Sequence, residues 1–116
     1  MIESYRDLHI WKRSVELRVA LYQLTANFPR EEIYGLTNQL RRASVSIASN
    51  IAEGYGRGSR GEYKQFLAMA RGSNFEVQTQ LVIVKELQYC SSESVDKVES
   101  LSIEVGKMLT VILKKL

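Results

Sequence analysis

Apolar residues recur every three or four positions along most of the chain, and no segment alternates apolar and polar residues as a strand requires. This pattern predicts four helices, over about residues 7–27, 36–55, 59–89 and 94–115. Because the predicted connections are short, we expect antiparallel neighbours and an all-α, antiparallel up-down-up-down four-helix bundle. At 116 residues the chain fits one domain, which we expect to span residues 1–116.

Local signals mark the breaks between the helices. Pro29 is the only proline, and it ends the first helix because proline disfavours helical backbone in the residue before it. Closely spaced glycines between positions 54 and 61 end the second helix. The third begins at Ser59, which forms a capping-box pattern with Glu62. The turn Cys90-Ser91-Ser92 precedes the fourth helix.

Two of the predicted helices carry a second apolar stripe. On the third helix a 3-4 spacing predicts a core seam of Tyr63, Phe66, Ala70, Ser73, Val77, Gln80, Val84 and Leu87. Behind it, residues recur every seven positions: Ala68, Phe75, Val82 and Tyr89. The first helix has one face formed by Leu8, Trp11, Val15, Val19 and Tyr22, and another by Ile10, Leu17, Leu21, Leu24 and Phe28.

A monomeric bundle has no use for a second apolar stripe, so the pattern favours a homo-oligomer. The predicted oligomer interface consists of Ile10, Leu17, Leu21, Leu24, Phe75, Val82 and Tyr89. The alternative is that a short bundle leaves stray apolar residues exposed.

Composition narrows the protein class without identifying a reaction. A chain with 45% hydrophobic and 25% charged residues is typical of a globular protein. It has no apolar run long enough to span a membrane and no segment typical of a signal peptide, and Cys90 is its only cysteine. We therefore expect a cytoplasmic protein without disulfides. His9 is the only histidine, and no nucleophile, metal or cofactor motif accompanies it, so we expect no enzyme activity, cofactor or metal.

Positive charge is concentrated in the middle of the chain. Residues 38–72 contain six basic and two acidic side chains, a net charge of +4, although the whole chain carries only +3. Such a segment can attract phosphate backbones, so the candidate nucleic-acid-binding residues are Arg41, Arg42, Arg57, Arg60, Lys64 and Arg71. The alternative is an ordinary solvated face of two helices.

The segment from Gly56 to Gly61 matches the G-x-G-x-x-G spacing of dinucleotide-binding proteins. That motif requires a preceding strand, and none is predicted here, so the glycines are better explained by a chain reversal. Binding of a phosphate by the free amides at the start of the third helix, beside Arg57 and Arg60, stays open.

Four polar residues interrupt the apolar pattern of the second and third helices. Helical periodicity places Asn50 and Glu53 on one edge of the second helix, and Ser73 and Glu76 on the facing edge of the third. An acid-base or metal pair of glutamates is one interpretation. The hypothesis we favour is a structural polar network, in which Glu53 or Glu76 pairs with an arginine and Asn50 bonds to Ser73.

Several short motifs in order resemble one bacterial family. They are Tyr5-Arg6-Asp7-Leu8, Trp11-Lys12, Gln39-Leu40-Arg41-Arg42-Ala43, Ser46-Ile47, Asn50-Ile51-Ala52-Glu53-Gly54, Phe66-Leu67, Ala70-Arg71-Gly72-Ser73 and Glu76. The chain resembles the "four helix bundle protein" family, also called 23S rRNA intervening-sequence proteins. Related to this family are the accessory variability proteins of diversity-generating retroelements.

The resemblance implies a four-helix bundle that assembles into a ring-like homopentamer. For the retroelement accessory proteins it also implies a basic surface that binds nucleic acid, and a reverse transcriptase as partner. We therefore expect a non-enzymatic oligomer that binds RNA or DNA through the six basic residues. The alternative is a protein-interaction scaffold that binds a partner such as a reverse transcriptase and makes no direct nucleic-acid contact.

Overall fold

The computed structural model describes residues 2–116, and four long helices account for most of them. They are α1 (His9–Thr25), α2 (Leu36–Gly56), α3 (Arg60–Leu87) and α4 (Ser92–Lys115). Short 3-10 turns lie at Tyr5–Asp7 and Arg30–Glu32. No strand occurs in residues 2–116, so the prediction of an all-α protein with four helices is confirmed.

Serine side chains begin both α3 and α4. Ser59 accepts a hydrogen bond from the backbone N–H of Glu62 at 3.1 Å, as its sequence position predicts. The carboxylate of Glu62 accepts from the Ser59 hydroxyl at 3.2 Å. At the other end of α3, Gln88 adopts the left-handed conformation (φ 59°), which ends the helix, and Ser91 caps α4 by accepting from Ser94 N–H at 3.2 Å.

Each helix packs against two others, in the cyclic order α1, α2, α3, α4. Side-chain contacts show the direction in which neighbouring helices run. Asn74 of α3 bonds to Ser102 of α4, whereas Lys85, about three turns further along α3, pairs with the earlier Asp96. The same reversal of numbering relates α1 to α2 and α2 to α3.

The hydrophobic core corrects the assignment of the two faces of α1. Ile10, Leu17 and Leu21 were predicted in the oligomer interface, and this is wrong because each is at most 2% exposed in the core of the single chain. The opposite face carries Val19 and Tyr22, which are about half exposed. Both stripes of α1 are apolar, so hydrophobicity by itself did not show which one faces the other helices.

The core seam of α3 also differs from the prediction. Its buried residues are Leu67, Ala70, Asn74, Val77, Leu81 and Val84. Tyr63, Ser73 and Gln80 lie at the edge of this seam, and Leu87 is about half exposed. The amide of Asn74 hid the correct stripe, because an asparagine is not expected in a core unless a partner satisfies it. Ser102 of α4 is that partner.

No helix within residues 2–116 is both long enough and apolar enough to cross a membrane.

Candidate nucleic-acid interface

The six basic residues predicted to bind nucleic acid are distributed over three grooves of the bundle. Arg41 lies on the α1 side of α2, where its Nε donates to Thr25 Oγ1 at 2.8 Å. Arg42, the next residue, lines the groove between α2 and α3 together with Glu76 and Gln80. The side chains of consecutive residues on a helix point about 100° apart, so Arg41 and Arg42 lie on two different surfaces of the bundle.

Arg57 is engaged by carboxylates at the end of α2. Its guanidinium lies 2.8 Å from Glu53 and 3.7 Å from Glu62, and it covers the ring of Phe66 at 4.9 Å. These contacts join the end of α2 to the start of α3. A guanidinium that already has two carboxylate neighbours contributes little net positive potential to a phosphate-binding surface.

The other three residues lie along the groove between α3 and α4. Arg60 Nη2 donates to the backbone oxygen of Lys115 in α4 at 2.6 Å. Arg71 precedes Gln78 by seven residues, two helical turns, and Gln78 lines this groove with Lys107. Lys64 lies a further seven residues before Arg71 and therefore shares its side of α3.

The fourth helix supplies two lysines to the same groove that sequence reasoning missed. Lys107 lines it directly, and Lys114 follows two turns later on the same side of α4. The seven-residue spacing of Lys107 and Lys114 is visible in the sequence, but only the packing of α4 against α3 places these lysines beside Arg71 and Lys64. We define the basic face as Arg60, Lys64, Arg71, Lys107 and Lys114.

None of these five side chains forms an ion pair with the described residues, because the cations with carboxylate partners are Arg13, Arg57 and Lys85. The basic face therefore carries uncompensated positive charge.

The predicted polar network lies at the α2–α3 contact, but its hydrogen bonds join different residues from those predicted. Asn50 Nδ2 donates to the backbone oxygen and hydroxyl of Ser46, at 2.8 and 2.9 Å, and Ser46 Oγ bonds Ser73 Oγ at 3.0 Å. Asn50 thus reaches Ser73 through Ser46, which corrects the predicted direct bond. Glu53 pairs with Arg57 of its own helix, and Glu76 is exposed in the groove of Arg42.

Comparison with known proteins now decides the family. The model of the 23S rRNA-intervening sequence protein family matches residues 6–111. The chain belongs to this family. The match covers the polar network and every residue of the basic face except Lys114, and it confirms the family suggested by the sequence motifs.

A solved structure shares the fold of this family member. It is a protein of unknown function from the S23 ribosomal protein family of Bacteroides thetaiotaomicron, with a TM-score of 0.82 and 24% sequence identity. The alignment covers 90% of the present chain and 98% of that chain. At this identity the likeness concerns the fold alone. No curated protein sequence gives a significant match.

The four predicted interface residues of this family member that lie outside the buried core form two pairs. Leu24 and Tyr89 pack partly against the core, and the Tyr89 hydroxyl donates to Glu32 at 2.7 Å. That bond lowers the pKa of Glu32 and raises the pKa of Tyr89, since it favours the ionised carboxylate and the neutral phenol. Phe75 and Val82 are 54% and 51% exposed and are therefore available for contact with another molecule.

Neither the single thiol nor the acidic and histidine side chains of this family member form a recognisable reactive site in residues 2–116. Partial burial raises the pKa of the Cys90 thiol, which disfavours the nucleophilic thiolate. Residues 2–116 contain no group of three or more His, Cys, Asp or Glu side chains placed to hold a metal ion.

Proposed function

We propose that this protein is a non-enzymatic, RNA-binding helical bundle that contacts phosphate groups through the basic face. The observation that carries the proposal is the set of five cations from α3 and α4 without ion pairs. The family's name, which refers to 23S rRNA, supports RNA as the nucleic acid.

The dimensions of the basic face suit a nucleic-acid backbone. Arg60 and Arg71 are eleven residues apart, and at 1.5 Å per residue they are separated by about 16 Å along α3. This length spans several phosphates of one strand. Side chains of this kind release counterions when they neutralise phosphates, so affinity must fall steeply with salt concentration.

Removing three charges from the basic face tests RNA binding. In the variant Lys64→Gln, Arg71→Gln, Lys107→Gln we expect affinity for a structured 23S rRNA fragment to fall at least about tenfold at moderate salt, because three phosphate contacts are lost. The slope of log affinity against log salt should become shallower by roughly two to three units. Fluorescence anisotropy titrations at several salt concentrations measure both quantities.

The matched control removes three exposed charges elsewhere, in the variant Lys12→Gln, Arg30→Gln, Lys97→Gln. Equal losses in the two triple variants would contradict a specific role for the basic face. Absence of RNA binding in the unmodified protein would reject the proposal and favour a protein-interaction scaffold.

We also propose that the chain forms a homo-oligomer, a pentamer by its resemblance to the retroelement accessory proteins, built from bundles of up-down-up-down topology. The reversed numbering of contacts between neighbouring helices supports that topology. Exposed apolar side chains support the assembly, because Phe75 and Val82 on α3 are both about half exposed.

Light scattering coupled to size-exclusion chromatography tests the assembly. We expect the unmodified protein to have about five times the subunit mass of 13.2 kDa. The variant Phe75→Ser, Val82→Ser should shift toward the monomer, because burial of each side chain stabilises an interface by up to about 2 kcal/mol. The control Ile33→Ser, Tyr34→Ser changes two exposed apolar residues on the α1–α2 connection. A monomeric unmodified protein at micromolar concentration would refute the assembly.

A further inference from the structure

Two arginines from neighbouring helices converge on one tyrosine ring in the groove between α1 and α2. The guanidinium carbon of Arg41 lies 3.8 Å from the ring centroid of Tyr22, and that of Arg18 lies 4.8 Å from it. Tyr22 is 47% exposed, so solvent reaches the cluster. Within the described residues neither guanidinium has a carboxylate within ion-pair distance.

Buried hydroxyl groups hold both guanidiniums in place. Arg18 Nη1 donates to the backbone oxygen of Arg41 and to Ser44 Oγ, the latter at 3.2 Å. Arg41 Nε donates to Thr25 Oγ1 at 2.8 Å. Ser44 and Thr25 are at most 2% exposed and belong to the packed interior. The two cations are thus positioned by the fold and by the Tyr22 ring.

These bonds leave most of the donors free. A guanidinium has five N–H groups. Arg18 uses two of them and Arg41 uses one, so three and four respectively have no bond to the protein among the contacts described. Two positive charges close to one ring repel each other, and an anion bonded to both would offset this repulsion.

We propose that Arg18 and Arg41, positioned by Tyr22, bind a phosphate group. Phosphate suits the site because its acceptor oxygens point in several directions and can bond two guanidiniums that approach from different helices, whereas a carboxylate offers only two oxygens in one plane. The phosphate can belong to a free phosphate compound or to a nucleic-acid backbone.

This site is separate from the basic face. It lies in the α1–α2 groove and the basic face lies in the α3–α4 groove. No Cα atoms of α1 and α3, or of α2 and α4, come within 8 Å of each other. Phosphate binding by Arg18 and Arg41 can therefore be tested independently of RNA binding by Lys64, Arg71 and Lys107.

Nuclear magnetic resonance of the arginine Nε–Hε groups tests the site in the full chain. Sodium phosphate is titrated at pH 7 with ionic strength held constant by sodium chloride. We expect saturable shifts of the Arg18 and Arg41 resonances, assigned with Arg18→Lys and Arg41→Lys, and none for Arg57, which already has carboxylate partners. Shifts reproduced by chloride alone, or absent at 20 mM phosphate, would overturn the proposal.

A substitution gives the size of the effect. Arg18→Gln should weaken phosphate binding about tenfold, since a charge-assisted bond is lost and 1.4 kcal/mol corresponds to a factor of ten. The control Arg57→Gln should retain the affinity. If Arg18→Gln retains it as well, the proposal fails, whereas retention by the variant Lys64→Gln, Arg71→Gln, Lys107→Gln agrees with a site separate from the basic face.

Two further titrations identify the source of the phosphate. Uridine monophosphate represents a free phosphate compound, and a short single-stranded oligouridylate represents the nucleic-acid backbone. We expect the Arg18 and Arg41 resonances to shift with both compounds. The compound whose titration reaches saturation at the lower concentration identifies the source of the phosphate. Failure of both to shift these resonances would overturn the proposal.

Discussion

Replacing the buried amide of Asn74 by a carboxylate, Asn74→Asp, is expected to lower the free energy of unfolding by about 3–5 kcal/mol at pH 7. Asn74 Nδ2 donates to the Ser102 backbone oxygen at 2.9 Å, and Asn74 Oδ1 accepts from the Ser102 hydroxyl at 2.7 Å. Both residues are 0% exposed. A carboxylate keeps the acceptor, but it removes the donor and places an unpaired charge beside a carbonyl oxygen.

The loss of unfolding free energy in Asn74→Asp should be larger at high pH than at low pH. Burial raises the folded-state pKa of the new carboxyl above its unfolded value of about 3.9. The protonated variant, which can donate to the carbonyl, is therefore favoured at low pH, and the deficit relative to the unmodified protein grows as the pH rises through the folded-state pKa.

Urea denaturation at pH 4 and pH 7, at one fixed protein concentration, measures this dependence. The control Gln65→Glu makes the same amide-to-carboxylate change at an exposed position of α3 and should alter stability by less than about 0.5 kcal/mol. An unchanged stability of Asn74→Asp at pH 7 would show that this pair is not a determinant of α3–α4 packing.

Adding a single methyl group at Gly54 is expected to destabilise the bundle by about 1–3 kcal/mol. A Cβ atom there would lie 2.6 Å from Phe66 Cβ and 3.4 Å from Tyr63 Cδ1. These distances are too short for carbon atoms in contact, which prefer about 3.5–4.0 Å, so α2 and α3 must move apart. The loss should occur although alanine favours helix formation over glycine by about 1 kcal/mol.

Gly72→Ala provides the matched control for Gly54→Ala. Gly72 also lies within a helix, but a Cβ atom there meets no other atom within 4 Å. We expect this substitution to raise stability by about 0.5–1 kcal/mol, because only the helix propensity changes. Thermal and urea denaturation of both variants compare the two effects. If both substitutions stabilised the protein, close helix packing would not explain Gly54.

The positions of the basic residues show where sequence reasoning reached its limit. Arg60, Lys64 and Arg71 were predicted, and their common side of α3 follows from helical spacing. Lys107 lies on the same surface because α4 packs against α3. The order of the helices along the chain does not show which residues of α4 lie opposite which residues of α3. Arg41 was predicted to bind nucleic acid together with these α3 residues, but it lies in a different groove, where Thr25 and Tyr22 of α1 hold it.

The sequence by itself determined the helices and their ends, because periodicity, proline, glycine and serine caps act over a few residues of chain. Tertiary structure decided which stripe of a helix is buried when two stripes are apolar, as Leu17 and Val19 on α1 show. It also decided which polar residue enters the core, since Asn74 is tolerated there only because Ser102 of α4 meets both ends of its amide. Burial and hydrogen-bond satisfaction depend on partners distant in sequence, and these exist only once the helices pack.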